Sequence, residues 1–197
     1  MDTIKAYLKI ILLFAMVSSC GDYKLLRQYE LKPATIKVQG DKAYINGILG
    51  KTFYRRFVKT LGKNPQLKTI VLQEVPGSID DEWNLKSCFL LYKKGLHSKL
   101  EKNSIVESGG TDFFISGKEL HIEEGAKIGV HSWAGNDLVA TELPKNHPEH
   151  KLFLEFYPKI EIDTAFYWFT IRAAPENSMH FLSTKEINLY LGHKLKK

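Results

Sequence analysis

Two short segments carry the residue types of a nucleophile and its base. Residues 106–111 (VESGGT) place Ser108 at the end of an apolar run, and residues 127–133 (KIGVHSW) place His131 at the end of another. A serine hydroxyl is a weak nucleophile at neutral pH, so it needs a base within hydrogen-bond reach and donors for the oxyanion. The Gly-Gly pair after Ser108 allows a sharp turn that exposes the serine and the following amides. The pattern predicts Ser108 as nucleophile and His131 as general base.

Both residues also have a purely structural interpretation. Ser108 suits a helix N-cap beside a tight glycine turn, because serine is among the favoured caps. A lone histidine in a strand is commonly buried, with its ring bonded to a backbone carbonyl. The residues by themselves leave both interpretations open.

The elements around these segments alternate between strand and helix. Strands are predicted at 35–38, 43–47, 69–72, 96–106, 117–122 and 126–132. Helices are predicted around 53–61, at 80–94, from 108, at 148–157, at 163–171 and from 183, where Ser183 and Glu186 have capping-box spacing. Helical crossovers imply a largely parallel sheet, which binds ligands beyond the carboxyl ends of its strands. Pro76, Ser108 and His131 all fall at such ends.

The order of these motifs resembles the ClpP/crotonase superfamily. The Ser-Gly-Gly with its aromatic-rich helix is similar to the nucleophile segment of signal peptide peptidase A, and residues 128–131 are similar to the histidine strand of the Clp protease. Residues 69–79 resemble the superfamily's strand and Ser-Pro-Gly-Gly oxyanion loop, and residues 181–186 resemble a late helix start of the Clp protease. The resemblance covers residues 35–195 and is greatest to ClpP-like periplasmic and envelope proteins.

This resemblance implies a fold, a chemistry and two oxyanion donors. The fold is an α/β ClpP/crotonase-like domain with a largely parallel β-sheet, crossover helices and a helical C-terminal third. The chemistry is serine hydrolysis, with no cofactor. The donors are the backbone amides of Gly77 and Gly109, whose alternative role is turn formation. The family loop has two glycines after the proline, and here Ser78 replaces the second.

The residue that should orient the histidine departs from the family pattern. In the Clp protease an Asp lies just before the Phe-Leu-Ser segment, whereas the residue two before Phe181 here is Met179. Glu176 and Asn177 are the candidates for this role, since acid and amide variants of the triad both occur. The alternatives are an unassisted Ser108-His131 dyad or a degenerate site.

The N-terminus has the features of a lipoprotein export signal. Lysines precede a short apolar run that ends in Val-Ser-Ser-Cys, with the cysteine at position 20. The run is too short to span a bilayer but suits a signal peptide. The sequence predicts a signal peptide at 1–19, acylation of Cys20, a tether at 20–34 and one domain at 35–197, held in the bacterial envelope on the periplasmic or outer-membrane face. The alternative is an ordinary signal peptide with an incidental cysteine.

Composition and charge limit the kinds of partner that the chain is expected to bind. The chain is 44% hydrophobic, enough for one core, and its net charge of +6 comes from dispersed lysines, so we expect no nucleic-acid binding. Cys88 is expected in the core without a disulfide partner. His147 and His150 have the wrong separation for a helical zinc motif, so we expect a solvent-facing helix start and no metal. The sequence leaves self-association into a homo-oligomer open.

These observations predict a membrane-anchored serine hydrolase. An acyl-CoA enzyme is disfavoured, because the chain carries a predicted export signal and such enzymes act on cytoplasmic thioesters. Peptide or protein hydrolysis is the expected chemistry. Aromatic residues at 133 and 166–169 are expected either to line an apolar substrate groove or to pack in the core. The competing prediction is a catalytically degenerate lipoprotein that keeps the fold as a binding or assembly module.

Overall fold

The computed structural model describes residues 32–135 and 138–196. The predicted signal peptide, Cys20 and most of the tether therefore lie outside the described residues. Within the described part, Pro33 already bridges to Ile48 and Ala34 is buried. None of the helices described here is both long and apolar enough to cross a membrane.

The centre of the fold is a mixed sheet in the order β1-β2-β3-β4-β6-β9, with β5 paired to the first part of β4. Its strands β2, β3, β4 and β6 run parallel, and β1 and β9 add antiparallel edges. The strands are β1 (Thr35–Gln39), β2 (Lys42–Asn46), β3 (Thr69–Val75), β4 (His97–Glu107), β5 (Leu120–Ile122), β6 (Lys127–Val130) and β9 (His180–Phe181). The predicted largely parallel sheet is confirmed.

A bend in β4 allows this long strand to pair with β5 along its first part and with β6 along its last part. Its register with β3 shifts between Leu72 and Glu74. Ser104 stabilises the irregularity, because its Oγ donates to the carbonyl of Leu72 at 2.6 Å and accepts from the amide of Glu101 at 2.9 Å. Beyond the bend, β4 pairs with β6 and ends at Glu107, directly before Ser108.

Six α-helices in the described residues surround this sheet: α1 (Lys51–Lys63), α2 (Asp81–Lys93), α3 (Gly109–Ile115), α4 (Lys151–Phe156), α5 (Thr164–Ala173) and α6 (Thr184–Leu191). Three begin at side-chain caps, because Asp80, Asp163 and Ser183 each accept a hydrogen bond from the first turn of the helix that follows. The predicted capping box of Ser183 and Glu186 is confirmed.

Several local features differ from the sequence predictions. A small hairpin, β7 (Ala134–Gly135) with β8 (Leu138–Val139), follows His131, and the helix expected from residue 148 begins as a 3₁₀ turn. The solvent-facing position predicted for His150 is wrong. Its ring is fully buried because Trp133, Tyr167 and Trp168 close around it, and Nδ1 lies 2.6 Å from the Tyr167 hydroxyl.

Most of the aromatic residues fill the core. Phe53 and Phe57 of α1 pack edge-on against Phe113 of α3, which fixes α3 against α1. Cys88 is buried in the same core, as expected. Val58 lies at helical spacing from Leu61 but is 44% exposed, so the apolar face of α1 is narrower than its sequence suggests.

Candidate functional site

Ser108 lies in a turn of unusual backbone geometry between β4 and α3. Its φ of 51° and ψ of −127° are rare for a residue with a side chain, and such conformations are commonly found at functional sites. Its side chain makes no capping hydrogen bond with α3, so the N-cap interpretation has no support in the contacts. The amide of Ser108 is held by the carbonyl of Gly129 at 3.1 Å, which ties the turn to β6.

Two glycines after Ser108 are required by close packing. A Cβ at Gly109 would lie 2.7 Å from both the Asn84 amide nitrogen and the Ser78 Cβ, and one at Gly110 would clash with the carbonyl oxygen of Val75. The Asn84 side chain also donates to the carbonyl of Gly109 at 2.9 Å. The glycines therefore let α3 begin directly against the loop after β3.

That loop brings Gly77 to the serine. Gly77 has φ of 145°, and a Cβ added there would lie 3.4 Å from the Ser108 Cβ and 3.8 Å from its Oγ. Its carbonyl is held by the amide of Leu49 at 2.9 Å. The amides of Gly77 and Gly109 donate no hydrogen bond to another described residue. Two unengaged donors thus flank the serine, as an oxyanion hole requires.

His131 lies two residues beyond the β6 position that pairs with Glu107, and it lines the same cavity as Ser108. The Nδ1 atom of His131 is buried and has no hydrogen-bond partner in the described chain. Ser108 and His131 share no hydrogen bond in this structure. On the neighbouring strand, burial raises the pKa of Glu107, and the interaction with His131 opposes part of this increase.

Glu176 and Asn177 were predicted to orient His131. Glu176 and Asn177 are exposed in the turn that follows α5, and neither makes a hydrogen bond with His131 in the described part of the chain. Met179 instead occupies the space beside Gly129, where a Cβ would lie 2.7 Å from its sulfur. His180, in contrast, has a carboxylate partner, because its Nε2 lies 3.0 Å from Glu186.

The cavity beside Ser108 and His131 contains residues that sequence reasoning missed. It has a volume of about 50 Å³, enough for a few water molecules. Asp112, in the first turn of α3, is 9% exposed, and its Oδ1 accepts from the Tyr157 hydroxyl at 2.8 Å. Burial raises the pKa of Asp112 to about 7, with Asp81 adding to the increase.

Aromatic side chains form the opposite wall of this cavity. Trp133 and Tyr167 are joined by a hydrogen bond from the indole Nε1 to the hydroxyl at 2.9 Å. Tyr167 in turn contacts His150, whose pKa is lowered by burial. The aromatic residues predicted either to line a groove or to pack in the core therefore do both: Trp133 and Tyr167 line the cavity, whereas Phe166 is buried in the core.

A metal site is not formed by the described residues, among which no group of three or more His, Cys, Asp or Glu side chains has suitable geometry. The arrangement consists of a serine in a rare backbone conformation, an imidazole on the same cavity, two unengaged amides and a partly polar cavity lining.

Comparison with known proteins places the fold. No family model matches the sequence, and no curated protein matches it significantly. Two solved structures of variants of the 1510-N membrane-bound stomatin-specific protease match at 14% and 12% identity, with TM-scores of 0.51 and 0.50. They cover 75% of this chain in each case, and 69% and 73% of their own chains; the first is a complex with a substrate peptide.

A methylmalonyl CoA decarboxylase also aligns, at 12% identity and a TM-score of 0.37, over 50% of this chain and 48% of its own. The mostly parallel sheet, its crossover helices and the order of the strand ends agree with the structural likeness to the protease. The chain therefore has the ClpP/crotonase fold.

Proposed function

We propose that this chain is a membrane-anchored serine hydrolase that cleaves peptide or protein substrates. The observation that carries the proposal is the meeting of three strand ends: Ser108 and His131 line one cavity, Gly77 packs against Ser108, and the backbone of Ser108 is held in a strained conformation. The fold shared with a peptidase supports the same chemistry.

In the proposed reaction Ser108 Oγ attacks the substrate carbonyl carbon while His131 accepts its proton. Nδ1 of His131 is buried, so Nε2 is the nitrogen left to face the serine. The amides of Gly77 and Gly109 stabilise the oxyanion. His131 then gives the proton to the leaving amine, and a water molecule, deprotonated by the same ring, releases the acyl group from Ser108.

Membrane attachment is part of the proposal through Cys20. Acylation there would tether the domain in the bacterial envelope, because several acyl chains on one residue exceed what stable anchoring needs. Cys20→Ala is expected to release the protein from membranes or to leave its precursor unprocessed. Unchanged membrane association and processing would remove this part of the proposal.

A binding or assembly module is the second candidate, and one observation favours it: Nδ1 of His131 has no partner in the described chain. An imidazole that nothing orients is a poorer base.

Reaction of the full-length protein with a neutral fluorophosphonate probe separates the two candidates. A hydrolase is labelled in the wild type, is not labelled as Ser108→Ala, and is labelled at least about a hundredfold more slowly as His131→Ala. Ser178→Ala, the same change in an exposed turn, serves as control and should match the wild type. Absence of labelling in every form would favour the binding module.

A further inference from the structure

A buried carboxyl group beside the candidate nucleophile has no counter-charge. Asp112 lies one helical turn after Ser108 and lines the same cavity. One of its oxygens accepts from Tyr157, while Oδ2 has no hydrogen-bond partner among the described residues. None of the ion pairs formed within those residues includes Asp112. Burying a carboxylate without a cation is costly, so buried charges are normally paired.

A second carboxylate adds to the negative charge of the cavity. Asp81, an exposed residue at the start of α2, also lines it. The charge of Asp81 raises the pKa of Asp112, which means that the two carboxyl groups interact across the cavity. A cation placed between them would relieve both the desolvation and the repulsion.

The remaining walls suit the aliphatic stem and the charged end of a basic side chain. Phe153, Tyr157 and Ile171 supply apolar surface, and Trp133 and Tyr167 supply aromatic rings. Apolar stems of Lys and Arg pack on such surfaces, and their cationic ends interact favourably with aromatic faces. The cavity holds a few water molecules, so it is of the size of a single side chain and not of a folded partner.

From this arrangement we infer that the cavity binds a lysine or arginine side chain of the substrate, with Asp112 as its ion-pair partner and Asp81 at the entrance. The inference rests on the proposed function, because it treats the bound peptide as a substrate of Ser108. The site would select peptides with a basic residue next to the bond that Ser108 attacks.

Binding is measured on full-length Ser108→Ala, which cannot turn the peptide over. The two ligands are Ala-Ala-Lys-Ala and Ala-Ala-norleucine-Ala amides, which share a stem and differ in the ammonium group. We expect the lysine peptide to bind at least about tenfold more tightly, as a charge-assisted contact allows. Adding Asp112→Asn should bring the two peptides within about twofold of each other.

Asp41→Asn is the matched control, because it removes the same charge from an exposed turn at the opposite end of the sheet and should keep the preference. Asn can still accept the Tyr157 hydrogen bond, so Asp112→Asn is expected to fold. If circular dichroism shows that it does not, Asp81→Asn replaces it and must reduce the preference. Equal binding of the two peptides, or no binding of either, overturns the inference.

The peptide-binding experiment and the probe experiment test the two proposals independently. Labelling of Ser108 without a lysine preference overturns the cation site and leaves the hydrolase proposal intact. A lysine preference lost in Asp112→Asn, without labelling of Ser108 in the wild type, supports the cation site and overturns the hydrolase proposal.

Discussion

Gly77 packs directly against Ser108: a Cβ at Gly77 would lie 3.4 Å from the serine Cβ and 3.8 Å from its hydroxyl oxygen. The two residues follow different strands, β3 and β4, and meet only because those strands are parallel neighbours. Their contact brings Gly77, whose amide donates no hydrogen bond to another described residue, beside the candidate nucleophile. Substitution of Gly77 tests whether this contact matters.

Gly77→Ala is expected to reduce probe labelling by roughly a hundredfold, because it shifts one oxyanion donor and crowds Ser108. The φ of 145° is also unfavourable for alanine. Gly40→Ala controls for backbone strain, since Gly40 has φ of 61° with nothing near its Cβ position. Labelling rates measured under identical probe concentration decide the matter, and equal rates for the two variants would count against an oxyanion role.

The orientation of His131 is tested by Glu176→Ala, Asn177→Ala and Glu107→Gln. Glu176 and Asn177 are exposed and lack a hydrogen bond to the ring, so we expect each alanine variant to stay within about threefold of wild-type labelling, whereas loss of a working third member costs on the order of ten-thousand-fold. Glu107→Gln should have the larger effect of the three, because the charge of Glu107 interacts with His131.

A large loss in Glu176→Ala or Asn177→Ala would instead identify that residue as the orienting group and restore a complete triad. If all three variants retain labelling while Ser108→Ala has none, the site works as a dyad.

Asp112→Asn is expected to stabilise the protein above neutral pH. Burial raises the pKa of Asp112 from 3.8 to about 7, so the folded state holds a proton that the unfolded state has lost. Wild-type stability should therefore fall as the pH rises from about 4 to 7 and then level off. The neighbouring groups whose charges interact with Asp112 are Asp81, Cys88, Tyr157 and Tyr167, and burial raises the pKa of each of the last three.

Denaturant unfolding from pH 4 to 9 measures the free energy of unfolding of Asp112→Asn and of the wild type. The difference between them reaches at most roughly 4 kcal/mol in favour of Asp112→Asn at pH 8. Asp41→Asn should run parallel to the wild type. A gap that does not grow between pH 4 and 7 would mean that Asp112 is ionised throughout.

Lys194 connects the C-terminal segment to α3. Its buried Nζ donates to the carbonyl oxygen of Ile115, the last residue of α3, at 2.7 Å and to that of Ile160 at 3.0 Å. Lys194→Met keeps the stem and leaves both carbonyls without this donor, so we expect a loss of about 1–3 kcal/mol in the free energy of unfolding. Lys185→Met, at an exposed position of α6, should change it by less than about 0.5 kcal/mol.

The sequence was most informative where local chemistry determines structure. Alternating runs and glycine turns predicted parallel strands whose carboxyl ends meet, which is why Ser108, Gly77 and His131 could be placed around one site. The capping box of Ser183 and Glu186 consists of local hydrogen bonds and was predicted for the same reason.

Contacts between distant segments could not be predicted in this way. Asp112 lies in an apolar helix, and its partner Tyr157 is 45 residues further along the chain. His150 is buried by aromatic residues from two other segments. The direction of the side chains at Glu176 and Asn177 depends on how the turn after α5 packs, for which the sequence has no periodic signal.

The most direct test of the central claim is to map the residue that a fluorophosphonate modifies. The labelled full-length protein is digested, and the modified peptide is sequenced by tandem mass spectrometry. The account predicts one adduct, on Ser108, whose formation is slowed by His131→Ala. An adduct on a different serine, or on Ser108 at the same rate with and without His131, would contradict it.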